Sequence, residues 1–240
     1  PHECSSAASD VYKRQITNRT RVILPVHMCG HPCDMRTIRG LADRHGLFVL
    51  DDAAHALPTY YEGSLIGGDH SLADATAFSF YANKTMTTGE GGMLTTCSSK
   101  IAQRVKKMRL HGIDRDVFDR FTSISAGWAY DVIAAGYKYN LTDLASAIGR
   151  VQLGKLSEFS AKRKDIRLRY DEAFKNLPLV LPTRLSTQYE SSNHLYVVQL
   201  PENLGLSRDE FIEKLREAGV GTSVHYRPLH QMTHWLSLIH

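Results

Sequence analysis

The chain has 240 residues, of which 42% are hydrophobic and 22% charged, an ordinary globular balance that argues against a disordered or fibrous protein. Its net charge of +4 comes with both signs mixed along the chain and no basic stripe with interleaved aromatics, so no nucleic acid partner is expected. No apolar run approaches the ~18 residues of a membrane helix, so no membrane partner is expected either.

The first fifteen residues read as foreign. Asp10-Val11-Tyr12-Lys13-Arg14-Gln15 and Leu236-Ser237-Leu238-Ile239-His240 are what two reverse-complementary strings of one sequencing transposon end encode. Residues 1–15 and 236–240 are therefore expected to be scars, and the chain an internal fragment. Arg21–Val26 then reads as a buried strand. Behind it, His27, Cys29, His31 and Cys33 are zinc-type ligands by residue type. Their every-second-residue spacing on an extended segment lines them up in a row and lacks the paired C-x-x-C turn, which argues against a metal site.

Asp34 is placed to cap a helix running to about His45, closed by Gly46. Leu47–Leu50 is the next strand, and the spacing predicts a parallel βαβ unit with a right-handed crossover. That strand leads into Asp51-Asp52-Ala53-Ala54-His55. Ala75–Phe80 predicts a third strand, which leads towards Lys84. A glycine-dense turn (Thr88 to Gly92) precedes a fourth strand over residues 92–96. Ser98–His111 is expected to be helical, and a long loop follows to about residue 139, with Gly127, Trp128, Tyr130 and Tyr137 in it.

Thr142 is expected to cap a helix through Leu156, and a second helix to cover Ser157–Leu177. Lys162, Arg163, Lys164, Arg167 and Arg169 lie in this helical pattern and read as a solvated face rather than an anion site. Pro178, Pro182 and the polar stretch 186–193 predict a domain junction. Beyond it, strands are expected at His194–Leu200 and Gly221–Tyr226, around a helix from Ser207 to 218 opened by a capping box. The domain expectation is thus a partial large domain over 16–177 and a partial small domain over 178–235.

An amine, a carboxylate and an imidazole all follow strand ends. In an open α/β sheet such ends converge on one ligand crevice. A lysine, an acidic residue and a phosphate-sized loop are the parts that a pyridoxal phosphate site needs. Taken singly, each residue has an ordinary explanation. Lys84 alone is a surface charge, Asp51-Asp52 a loop start, His55 a core histidine and Ser79 a strand serine bonded to its own backbone.

The strings DDAAHA (51–56), FSFYANK (78–84), TTGEGG (87–92), MRLHGI (108–113), GYKYNLTDLASAIGRVQL (136–153) and GTSVHYRPLH (221–230) occur together and in one order. This set resembles the DegT/StrS family of sugar-nucleotide aminotransferases, of pyridoxal phosphate fold type I, over about residues 19–235. The resemblance implies an α/β large domain with a mostly parallel sheet and the start of a small C-terminal α/β domain. It implies that Lys84 is the Schiff-base lysine and that Asp52 partners the pyridine nitrogen. His55 would lie near the cofactor ring or its 3′-oxygen, and Ser79 would donate to the cofactor phosphate. Asn140 would reach the phosphate of a partner subunit, which predicts a homodimer with shared sites. His225 would touch substrate. Asp51 stands where the family usually has Glu.

Some relatives carry histidine in place of the lysine and dehydrate their substrate, so Lys84 favours transamination. The implied reaction turns a keto group of a nucleotide-linked sugar into an amine, with glutamate as donor, in cell-surface polysaccharide or related sugar biosynthesis. GYKYN and the aromatic loop resemble the subgroup acting on 4-keto sugars attached to UDP. The free thiols fit a reducing compartment, and a cytoplasmic location is expected. Relatives carry a further N-terminal stretch with a Gly-Thr phosphate cradle and a ring that stacks on the cofactor, so this chain by itself is expected to be inactive. A non-catalytic regulator that kept the fold is the alternative from another functional class.

Overall fold

Two adjacent parallel strands organise the molecule. The computed structural model describes residues 15–114, 130–183 and 186–236. The strands are β1 (Val22–Ile23), β2 (Phe48–Asp52), β3 (Tyr60–Tyr61), β4 (Ser64–Leu65), β5 (Ala75–Ser79), β6 (Gly92–Thr95) and β7 (Tyr189–Glu190). The helices are α1 (Met35–His45), α2 (Ser99–Met108), α3 (Asp143–Phe174), α4 (Arg208–Glu217) and α5 (Thr233–Leu236). The main sheet has the order β1-β2-β5-β6; β1, β2 and β5 run parallel and β6 returns antiparallel. Most of its pairings are therefore parallel, in an α/β arrangement.

Helix α1 starts where the sequence signals predict. The Asp34 side chain accepts from Thr37 N–H, and Gly46 closes the helix at φ 59°. Its core side, Met35 and Ala42, packs with Val49, Ala53 and Ala56 of β2 and the chain beyond it. This seals one face of the sheet and leaves the carboxyl ends of β2 and β5 to carry polar groups.

Several expectations need correction. The strand expected over Arg21–Val26 is reduced to Val22–Ile23 plus a bridge from Val26 to Asp52. The two helices expected around Leu156 are one, the 32-residue α3. No proline interrupts it, and Leu156 itself is buried against Phe80 and Met86 in the middle of the continuous helix. The strand expected over His194–Leu200 is a single bridge, Val180 to Gln199, and Gly221–Tyr226 forms no strand. A three-stranded sheet, β4-β3-β7, was not expected. Its hairpin turns through Glu62 (φ 48°) and Gly63 (φ 80°), a two-residue loop with both φ positive.

The chain divides into two units. The first takes in the chain to Lys175 and again Pro182–Val197; the second comprises Asn176–Leu181 and the chain from Val198. The segment 182–197, expected in the smaller domain, belongs to the first unit because β7 pairs with β3 there. In the second unit α4 opens with the expected capping box, Ser207 with Glu210. The expected scars lie almost wholly outside the described residues, as do Gly127 and Trp128. Among the described residues no helix is long and apolar enough to cross a membrane.

Candidate functional site

The site begins with strand alternation. Along β2, Val49 and Asp51 point into the core, while Phe48, Leu50 and Asp52 are half-buried on the other face. Asp52 is level with Ala77 on β5, so Ser79, two residues on, lies on the Asp52 face. The Asp52 carboxylate accepts from Ala54 N–H at 3.0 Å, which fixes it at the strand end. Ser79 Oγ accepts from Tyr81 N–H at 3.4 Å, the local bond expected of a strand serine, and its own proton remains for another acceptor.

Asp51 faces the other way and is buried. Thr76 Oγ1 donates to it at 3.4 Å, and His27 Nε2 stands 3.6 Å from it. His27 Nδ1 accepts from Cys33 N–H at 3.1 Å, so the neutral ring carries its proton on Nε2, towards Asp51. The other three of the four alternating ligands find separate surroundings. Cys33 Sγ donates to Val26 O, and His31 Nε2 lies 3.3 Å from Thr183 O. Cys29 sits in a 3₁₀ turn, Met28–Gly30, rather than on an extended segment. Among the described residues no group of three or more His, Cys, Asp or Glu is arranged to hold a metal.

Lys84 sits on a loop pinned at both ends. Phe80 N–H donates to Gly91 O and Thr88 N–H to Phe80 O, both at 2.9 Å. Lys84 N–H closes a turn onto Tyr81 O at 3.0 Å, and Thr85 Oγ1 donates to Leu57 O just beyond it. Met86 anchors the loop in a small core with Phe80 and Leu156. At Gly91 (φ 157°) an added Cβ would meet Thr88 Oγ1 at 2.4 Å, so the turn needs glycine for space. Burial pulls the Lys84 ammonium below its ordinary pKa, and the Asp52 carboxylate pulls it back up. The two groups therefore share one electrostatic neighbourhood.

His55 is held from behind. Cys29 N–H donates to its Nδ1 at 3.2 Å, its carbonyl accepts from Ser192 Oγ, and its ring centroid lies 4.5 Å from that of His194. Gly30 (φ 90°) makes this possible, since a Cβ there would meet Ser192 Oγ at 2.0 Å and His55 O at 3.0 Å. Sequence reasoning missed Gly30, Ser192 and His194. No local pattern marks Ser192, which lies 137 positions from its partner.

Asn140 is placed differently. It is level with the glycine turn and contacts Lys138 Nζ, and it lines an open cavity of about 1170 Å³ with Thr88, Gly91 and Tyr139. Lys84 and Asp52 do not line that cavity. His225 belongs to the second unit, exposed, with its ring 4.7 Å from Tyr226. The structure thus groups Asp52, Ser79 and Lys84, sets His55 just beyond Asp52 in the chain, and puts Asn140 on a separate cavity.

Comparison with known proteins gives the chain's family. The model of the DegT/DnrJ/EryC1/StrS aminotransferase family matches residues 6–239. The chain is 43% identical over 217 residues to the spore coat polysaccharide biosynthesis protein SpsC of Bacillus subtilis, covering 90% of this chain and 55% of that protein. Helicobacter pylori PseC, an aminotransferase involved in the biosynthesis of pseudoaminic acid, superposes with a TM-score of 0.85 at 30% identity, over 96% of this chain and 59% of that one. The PLP form of Spr1654 from Streptococcus pneumoniae, a proposed sugar aminotransferase, gives 0.83 at 30% identity, over 96% and 60%. The chain spans about 55% of the length of the curated relatives it matches.

Proposed function

Because the chain belongs to the DegT/DnrJ/EryC1/StrS aminotransferase family, we propose that it is part of an enzyme that replaces a keto group of a nucleotide-linked sugar with an amine taken from an amino acid, glutamate. Pyridoxal phosphate is the cofactor of that family. One observation carries the reading. Asp52 and Ser79 share a face at the carboxyl ends of adjacent parallel strands, and the Asp52 charge acts on Lys84. An anion for the ring nitrogen, a hydroxyl for the phosphate and an amine drawn towards its neutral form are the groups this cofactor requires.

When bound, pyridoxal phosphate supplies an electron sink for the carbon that carries the amine. Asp52 would hold a proton on the pyridine nitrogen. Ser79 would donate its hydroxyl proton to a phosphate oxygen. Lys84 Nζ, in its neutral form, would take a proton from the amine-bearing carbon of the amino-acid donor and, in the second half-reaction, would deliver one to the sugar carbon that receives the amine, work worth ~10²–10⁴ in rate for a positioned base. His55 would present Nε2–H to the cofactor, its Nδ1 already engaged by Cys29 N–H. His225 would contact substrate.

The sugar substrate is supported by the name of Spr1654 and by the polysaccharide pathway of SpsC. A homodimer with shared sites is supported by an exposed apolar stripe on α3, Leu144, Ile148 and Val151, at i, i+4 and i+7. Asn140 lies just before it and would serve the partner's phosphate. The same reading gives a cytoplasmic enzyme, and little turnover by this chain alone, because it spans only part of its relatives.

Reductive trapping tests the proposal. The chain is incubated with pyridoxal phosphate and borohydride, and the modified lysine is located by peptide mass mapping. Selective modification of Lys84, reduced in Asp52→Asn, is expected. Modification scattered over surface lysines would overturn the assignment.

A further inference from the structure

Helix α3 carries five basic residues over 162–169, and the structure divides them. Lys162, Lys164 and Arg169 are exposed, whereas Arg163 and Arg167 are half-buried on one face, one turn apart. The solvated-face reading therefore fails for these two. They line a pocket of about 180 Å³ with His31, Tyr170, Asn193 and Leu195.

The pocket has unused donors and an uncompensated charge. Arg163 spends one nitrogen on His194 O at 3.3 Å. Arg167 Nε and Nη2 are buried, with no hydrogen-bond partner among the described residues. Among the described residues the carboxylate paired with Arg167 is Asp171, whose Oδ2 lies 3.5 Å from Nη2 and whose Oδ1 already accepts from Tyr196 at 2.9 Å. Asp171 offsets one of the two guanidinium charges and leaves the other. Burial lowers the pKa of Arg163 and of His31, so His31 adds little positive charge near neutral pH. Buried guanidinium donors left unmet are costly, and planar oxyanions are their best complement.

We infer that this pocket is a binding site for a small oxyanion carrying one net charge, a carboxylate or a phosphate group, seated between the Arg163 and Arg167 guanidiniums with its carbon end against Tyr170 and Leu195. The site shares no lining residue with Lys84, Asp52 or Ser79, and the inference does not rest on the cofactor reading.

The test is thermal unfolding of the 240-residue chain in sodium acetate, sodium phosphate and sodium chloride at equal ionic strength. A saturable rise in Tm with acetate or phosphate, absent with chloride, is expected. A response to acetate alone names a carboxylate ligand, and one to phosphate alone a phosphate. Arg163→Gln and Arg167→Met are expected to weaken that response roughly tenfold, the usual cost of losing a charge-assisted donor. Should Arg167→Met fail to fold, phenylglyoxal labelling of the unaltered chain decides the question: the anion should protect Arg167 as read by peptide mapping. No saturable shift with either anion, or no protection of Arg167, would overturn the inference.

Discussion

Asp51 and Asp52 are neighbours in the chain and face opposite sides of the sheet. Asp51 is 2% exposed and sits against His27 and Thr76, while Asp52 stands on the open face with Ser79. The two carboxylates therefore have separable duties.

Removing the Asp52 charge should act on Lys84. The Asp52 carboxylate raises the Lys84 pKa against the effect of burial. Asp52→Asn removes that support, so the pKa falls further and the neutral amine appears at lower pH. The acetylation rate of Lys84 against pH, followed by peptide mapping, should shift to lower pH in the variant. An unchanged profile would separate the two residues.

Removing the Asp51 charge should act on stability instead. Asp51→Asn puts two new donors into a buried site beside His27 Nε2–H and Thr76. A loss of about 1–3 kcal/mol is expected, the usual cost of an unsatisfied buried polar group. Urea denaturation measures it, and a neutral result would show that His27 and Asp51 do not support one another.

Gly30 and Gly46 form a matched pair. Both have positive φ, but an added Cβ at Gly46 meets nothing within 4 Å, and at Gly30 it meets Ser192 Oγ at 2.0 Å. Gly46→Ala should cost about 1 kcal/mol, the conformational term alone. Gly30→Ala should cost more and should displace His55. Equal losses in chemical denaturation would show that Ser192 moves away freely.

The cysteines should differ in reactivity. Burial, aided by Asp51 and Asp34, pushes the Cys33 thiol up to about 11, whereas Cys97 is exposed. The thiolate is the attacking species, so Cys33 should stay unalkylated at pH 8 and react only as pH approaches 11. Iodoacetamide labelling with peptide mapping checks this, and labelling of both at pH 8 would refute it.

The apolar stripe on α3 predicts self-association. Ile148→Glu should leave the fold intact, because the residue is half exposed, and should shift sedimentation towards the monomer. Identical sedimentation of the two proteins would remove the support that the stripe gives to a dimer.

Much of the site's geometry was legible because it is local. Asp34, Gly46 and the Ser207–Glu210 box mark helix ends by short-range bonding, and Asp52 and Lys84 are read from strand ends and loop chemistry. The Glu62-Gly63 hairpin was equally local and was overlooked, although an X-Gly pair between apolar runs is a turn signal. Helix α3 runs on past Leu156 because no proline or cap ends it there, and the expected break has no local signal behind it. Ser192, Gly30 and the Arg163–Arg167 pocket depend on residues brought together from distant parts of the chain, and no spacing in the sequence encodes them.

The return of Pro182–Val197 to the first unit has a practical outcome. A polypeptide stopped at Phe174 would keep Lys84, Asp52, His55, Ser79 and Asn140. It would nonetheless lose the third strand of the small sheet and the hydroxyl that steadies His55. Trimming the protein at its apparent proline boundary would therefore dismantle the back wall of the site while sparing those five residues.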